Sequence, residues 1–202
     1  MRWDRTILIW AALIAAVIVP LVAAAASPLL AWRGPVYIVA GFAGVIALGL
    51  LLVQPVLIGG YLTGLSGLRG RRAHRWMGGL LVVTVVIHVA GLWITSPPDV
   101  IDALLFDSPT PFSNWGVIAM WAIFAVAVLA ALRRRWRLRP RLWRITHTSL
   151  VLVIVTGTVV HAVLIEGTME TVTKAVLCAL VVATTLGVMM ALRVWAKRPR
   201  LR

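Results

Sequence analysis

The chain is poor in cysteine, in acids and in charge of any kind. Its single cysteine, Cys178, sits in an apolar run. That excludes an intrachain disulfide, a CxxCH haem attachment and a Cys-ligated cluster or zinc site. Only 26 of the 202 residues are charged, 20 Lys+Arg against 6 Asp+Glu, where a soluble domain has about a quarter. With 61% hydrophobic residues and a mean hydropathy of +0.98, this scarcity excludes a water-soluble enzyme, a fused nucleotide-binding domain and a DNA-binding protein.

What is present in abundance is apolar length. The hydrophobic 61% of 202 residues is about 123 side chains, and a transmembrane helix uses about 20. Breaks in the apolar runs give six segments, at Ile7–Ala26, Val36–Ile58, Ala73–Ile94, Trp115–Leu132, Ile145–Ile165 and Val172–Val194. They are about twice the length of a barrel strand and lack its in/out alternation. Lipid offers a backbone no hydrogen-bond partners, so such runs must be helices. The expected fold is all-α, an integral membrane six-helix bundle formed as one domain over residues 1–202.

Charge placement orients the bundle. With the N-terminus cytoplasmic, the inner segments are Met1–Thr6, Gly60–Arg75, Arg133–Arg144 and the tail after Leu192. These hold 18 of the 20 Lys+Arg, all but Arg33 and Lys174. Five of the six acids, Asp99, Asp102, Asp107, Glu166 and Glu170, fall outside. This is the positive-inside pattern, with both termini cytoplasmic. It accounts for the net charge of +14 without nucleic acid. Eight of the ten Trp (Trp3, Trp32, Trp76, Trp93, Trp115, Trp136, Trp143 and Trp195) sit at segment ends, as an interfacial belt requires. The multi-pass topology suits a bacterial inner membrane. Arg2, Arg5 and the small residues Ala23–Ala26 offer a cleaved signal peptide as an alternative start. The apolar run exceeds the usual signal core of about 7–15 residues, so a retained helix is expected. The proline-bearing loop Ser96–Asn114 reads as an ordered connector or a short interfacial helix around Val100–Phe106, with a dock for an external acceptor as the functional alternative.

Four histidines carry the chemistry. His74 and His88 lie in the third segment, His147 and His161 in the fifth, each pair 14 residues apart. Fourteen helical steps of about 100° fall about 40° short of four turns and rise about 21 Å. Both imidazoles of a pair therefore share a face, one towards each side of a hydrocarbon core of about 30 Å. Both segments start from an inner loop and run parallel, so His74 can face His147 near the cytoplasm and His88 can face His161 near the outside. Two opposed imidazoles inside a bundle suit the axial positions of a b-type haem. The intervening faces, with Gly78, Leu81 and Val85 on one helix and Val151, Ile154 and Thr158 on the other, carry no charge. Gly78 and Gly157 are small enough to admit a macrocycle near the backbone. The competing reading, isolated histidines that hydrogen-bond between helices, must account for two matched pairs that use every His in the chain. A zinc or copper site is disfavoured because no Cys, Asp or Glu completes either shell. Arg71, Arg72, Arg75 and Arg144, with Arg69, flank the inner pair as candidate partners for haem carboxylates. Arg33 and Lys174 are candidates at the outer pair.

The stretches GRRAHRWMGGLLVVTVVIHVAGLW (Gly70–Trp93) and RLWRITHTSLVLVIVTGTVVHAVLIEGTM (Arg141–Met169) resemble the ferric reductase-like transmembrane domain. That superfamily includes NADPH oxidases, eukaryotic ferric reductases and the haem-binding membrane subunit of the bacterial methionine-sulfoxide reductase system. The resemblance implies a six-helix bundle whose third and fifth helices hold two b haems and pass single electrons across the membrane. His74, His88, His147 and His161 would be the axial ligands. This chain carries His at all four positions, a fuller pattern than the methionine-sulfoxide reductase subunit keeps. It shows no flavin or nicotinamide domain; Gly64, Gly67 and Gly70 are spaced wrongly for a dinucleotide loop. The expected donor is therefore a separate flavoprotein or a membrane quinol, with a flavin at the inner face as a further option. The expected acceptor is ferric iron, oxygen or a periplasmic oxidoreductase. Two other functions stand beside this conduit: a quinone-linked cytochrome b anchor of a larger oxidoreductase, and a cofactor-free permease or assembly protein. The latter is weakened by the few polar groups in the spans, chiefly Gln54, Thr84, Thr156, Thr158, Thr184 and Thr185.

Overall fold

The computed structural model describes residues 2–192, with side chains from Thr6 onward. It is all-helical among these residues. The helices are α1 (Arg2–Ala25), α2 (Pro35–Gly59), α3 (Gly67–Thr95), α4 (Pro97–Leu104), α5 (Pro111–Leu132), α6 (Pro140–Leu164) and α7 (Thr171–Ala191), with a 3₁₀ turn at Pro28–Leu30. All but α4 are long and apolar enough to cross a membrane, giving six spans. The protein is an integral, multi-pass membrane protein. The basic tail after Leu192, Trp195 and the expected end of the sixth span at Val194 lie outside the described residues, as do the side chains of Arg2, Trp3 and Arg5.

Local chemistry sets the helix ends. Pro35, Pro97, Pro111 and Pro140 each open a helix, where a missing N–H costs nothing and the fixed φ is already helical. α2 stops at Gly60, which takes a left-handed φ of 72° that a side chain would resist. Glu170 caps α7 by accepting from the backbone N–H groups of Val172 and Thr173. Three helices start earlier than their apolar runs suggest: α3 at Gly67 rather than Ala73, α5 at Pro111 rather than Trp115 and α6 at Pro140 rather than Ile145. Hydropathy marks where hydrocarbon begins, whereas hydrogen bonding carries the helix on into the interface. Arg69, Arg71 and Arg72 therefore ride on the first turns of α3 and can extend their stems towards water. The loop helix α4 forms at Pro97–Leu104, slightly before the expected Val100–Phe106, because the Pro97–Pro98 pair supplies its first turn.

The helices form two antiparallel hairpins with two flanking members. α2 lies along α3, α5 lies along α6, α7 packs on α2, and α1 sits at the edge against α2 and α7. Half of the apolar window of α2 is buried, against 11% for α1; Ile7, Leu8 and Val22 of α1 face outward. Lipid tails are as apolar as leucine, so close packing rather than hydrophobicity joins the hairpins. Glycines permit it. A Cβ on Gly91 would lie 2.7 Å from Ala40 Cβ, and one on Gly157 would lie 2.9 Å from the Trp115 carbonyl oxygen. Backbones thus meet closely within both hairpins. The first turns of α3 and the loop at 133–139 gather arginines at one end of the bundle, the basic end. The turn at 28–34, α4 and the 165–170 loop form the opposite, acid-bearing end.

Candidate functional site

α3 and α6 bear the histidines, yet they pack mainly on α2 and α5 rather than on each other. The space between them is bridged by imidazoles. At the acid-bearing end, the ring centres of His88 and His161 are 6.4 Å apart with planes at 82°. At the basic end, those of His74 and His147 are 6.2 Å apart at 72°. The expected pairing and parallel register are both present.

These separations permit a test for a shared metal. Two metal–imidazole bonds of about 2.0 Å, plus roughly 1.1 Å from each nitrogen to its ring centre, sum to a little over 6 Å. Both pairs meet that length. Among the described residues no group of three or more His, Cys, Asp or Glu side chains could hold a metal ion. Each pair therefore offers two imidazole nitrogens and no third protein donor. That donor set suits an iron whose other four ligands come from a planar macrocycle, and does not suit tetrahedral zinc.

The second nitrogens are held from the neighbouring helix. His88 Nδ1 donates to the Ala40 carbonyl at 2.7 Å, and His161 Nδ1 donates to the Phe112 carbonyl at 2.8 Å. A protonated Nδ1 fixes the tautomer and leaves Nε2 free for a metal. One helical turn on, Gly44 and Gly116 make room for the rings. A Cβ on Gly44 would approach His88 Nδ1 to 3.0 Å, and one on Gly116 would approach His161 Nδ1 to 2.7 Å. His74 Nδ1 meets the side-chain amide of Gln54, which also reaches the Gly78 N–H. His147 differs. Its Nδ1 is buried and has no hydrogen-bond partner among the described residues. Trp143 stacks on its ring instead, at 5.0 Å and 22°, and the Arg133 guanidinium covers Trp143 at 4.8 Å.

A cavity of about 750 Å³ contains His88 and His161 in its wall, within the roughly 300–1,000 Å³ typical of cofactor sites. Its deep wall is apolar, from Leu48, Leu51, Leu81, Val85 and Ile123. Polar groups gather elsewhere on its lining: Arg33, Lys174, Asp99 and Asp102. Lys174 is only 7% exposed and spends one N–H on the Ile165 carbonyl at 2.7 Å, which leaves two donors. Arg33 rests over the Tyr37 ring at 4.7 Å. Both cations named for this end from sequence therefore line the cavity of the His88–His161 pair.

At the basic end, Arg71 and Arg72 are exposed on the first turns of α3. Arg75, also exposed, lies near enough to His74 for its charge to act on the ring. Arg144 is half-buried, almost one turn before His147. Gly78 faces Gln54, and Gly157 faces Trp115 and Ala119 of α5; both lie where two helices approach. Sequence reasoning missed Ala40, Phe112, Gly44, Gly116 and the roles of Gln54 and Trp143. One signal was available: Ala40 and Gln54 are 14 residues apart, the same interval as the histidines they serve.

A helical membrane bundle with two opposed imidazole pairs at different depths belongs to the class of membrane electron-transfer domains. A family profile described as ferric reductase like transmembrane component matches residues 39–158, more than half of the chain, and the chain belongs to that family. Members of this family generally bind haem. The match includes His74, His88 and His147; His161 follows three residues beyond it. No curated protein and no solved structure matches the chain.

Proposed function

We propose that the protein is a di-haem b conduit that passes single electrons across a bacterial inner membrane. They run from a donor at the basic, cytoplasmic face to an acceptor outside. The inner haem would be held by His74 and His147, the outer by His88 and His161. The observation that carries this reading is the near-equal separation of the two imidazole pairs, 6.2 and 6.4 Å, at the length one shared iron demands. When bound, haem supplies one-electron redox chemistry.

The chain's own residues do the rest. The Ala40 and Phe112 carbonyls and the Gln54 side chain orient imidazoles so that a lone pair points into the bundle. Leu48, Leu51, Leu81 and Val85 exclude water from the outer site and lower its dielectric. Lys174 and Arg33 can pair with carboxylates of the outer macrocycle, and Arg75 and Arg144 with those of the inner. The arginine-rich face suits an acidic donor protein or an anionic flavin. The spanning hydroxyls do not favour a permease: Thr84 bonds the Leu81 carbonyl and Thr184 the Leu180 carbonyl of their own helices, so neither is free to line a polar path.

The test is the absorption spectrum and haem stoichiometry of detergent-purified protein from haem-replete cells. A dithionite-reducible b-type spectrum with about two haems per chain is expected. A folded, colourless preparation would refute the conduit.

A further inference from the structure

The four ligand environments are not equivalent. Three imidazoles meet a polar group of the adjacent helix: His88 the Ala40 carbonyl, His161 the Phe112 carbonyl and His74 the Gln54 side chain. The fourth, His147, has a buried Nδ1 without a partner among the described residues. It has an indole lying flat against it and a guanidinium beyond the indole. The α5 position that would complete the pattern explains the gap in part. Gln54 follows Ala40 by 14 residues on α2; counting 14 from Phe112 on α5 arrives at Val126, which has no side-chain acceptor.

Resting on the di-haem reading, we propose that Trp143, clamped by Arg133, is the positioning residue of the inner site, and that the inner iron is the more easily reduced of the two. A ring N–H that donates to a carbonyl makes its imidazole a stronger donor to the metal, which favours the ferric state. The outer pair has two such bonds, whereas His147 of the inner pair has none among the described residues. Charge acts in the same direction. Arg133 lies close enough to act electrostatically on His147, and Arg75 on His74; nearby cations favour the added electron. At the outer cavity the cations Arg33 and Lys174 are offset by Asp99 and Asp102. Stacking replaces the missing hydrogen bond as the restraint on ring rotation, and Arg133 holds the indole through a cation–π contact.

The experiment is an anaerobic potentiometric titration of the purified holoprotein, read by absorbance and by low-spin EPR. Two one-electron components are expected. In His88→Ala the haem that remains should titrate at the higher of the two wild-type potentials. Arg133→Gln should lower that component and leave the other in place. Trp143→Leu should broaden or remove its EPR signal, while Trp143→Phe, which keeps an aromatic face, should restore it. The proposal fails if the haem left in His88→Ala titrates at the lower potential. It fails equally if Arg133→Gln moves only the other component, or if Trp143→Leu matches wild type in potential, haem content and EPR signal. A haem-free preparation would sink the conduit along with it, whereas two haems in the reverse order would sink this inference alone.

Discussion

The Ala40 carbonyl and the Gln54 side chain, 14 residues apart on α2, meet His88 and His74, which are themselves 14 residues apart on α3. One helix thus acts as a ruler for its neighbour. The interval keeps both contacts on nearly the same face of α2, since 14 steps miss four whole turns by only about 40°. Any shift of α2 along α3 disturbs both imidazoles together.

Ligand removal should separate the two sites. His88→Ala and His161→Ala are each expected to lose about half of the haem, because an iron deprived of one axial imidazole loses its grip on the bundle. His74→Ala should spare the outer haem. Pyridine haemochrome assays on the purified variants provide the count; unchanged content in His88→Ala would refute the pairing.

Gly116→Ala tests the room beneath a ligand. Alanine should stabilise a helix by about 1 kcal/mol relative to glycine. At Gly79, where an added Cβ meets nothing within 4 Å, that gain should appear as a higher melting temperature with full haem. At Gly116 the new methyl would stand 2.7 Å from His161 Nδ1, so the ring must move off the Phe112 carbonyl. Haem content is expected to fall in Gly116→Ala more than in Gly44→Ala, where the corresponding approach is 3.0 Å.

The near-perpendicular imidazole planes, 82° at one pair and 72° at the other, carry a spectroscopic expectation. Crossed axial rings leave the two iron orbitals that they contact nearly degenerate. Frozen-solution EPR of the oxidised protein should therefore show strongly anisotropic low-spin signals. Ordinary rhombic spectra from both haems would contradict the ring geometry.

Glu170 gives a pH-dependent cap. Backbone N–H groups of Thr173 and Val172 donate to its carboxylate and hold its pKa below the usual value. A depressed acid stabilises the fold when ionised. The contribution is fully present above the ordinary glutamate value of about 4.3 and is lost as pH falls through the lower folded value. Amide exchange at the start of α7 should rise over that acidic window in the wild type. In Glu170→Gln this step should be absent, and an unaltered pH profile would remove the carboxylate from the cap.

The spans and the histidine pairing were legible in sequence for one reason: both depend on periodicities within a single helix. Apolar length fixes the spans, and an interval of 14 on each of two parallel helices fixes the register of four rings. What escaped were contacts that cross between helices. Ala40 and Phe112 act through backbone carbonyls, which are the same at every residue, so no side chain advertises them. Gly44 and Gly116 look like ordinary small residues of membrane helices. Trp143 fitted the interfacial belt, and only the fold brings it flat against His147. The helix starts were misjudged by four to six residues, since arginines and prolines interrupt hydropathy without interrupting backbone hydrogen bonds.

On the di-haem reading, the distance between the imidazole pairs along α3 and α6 would make the cell's voltage a partner in the reaction. An electron that moves from the level of His74 to that of His88 climbs about 21 Å of a dielectric about 30 Å thick. At about 2.3 kcal/mol per charge for each 100 mV, about seven tenths of the field, or about 1.6 kcal/mol per 100 mV, would act on that hop. With the interior negative, the field would drive such an electron outward and offset an uphill step between the irons. An energised membrane should thus carry this current faster than a depolarised one.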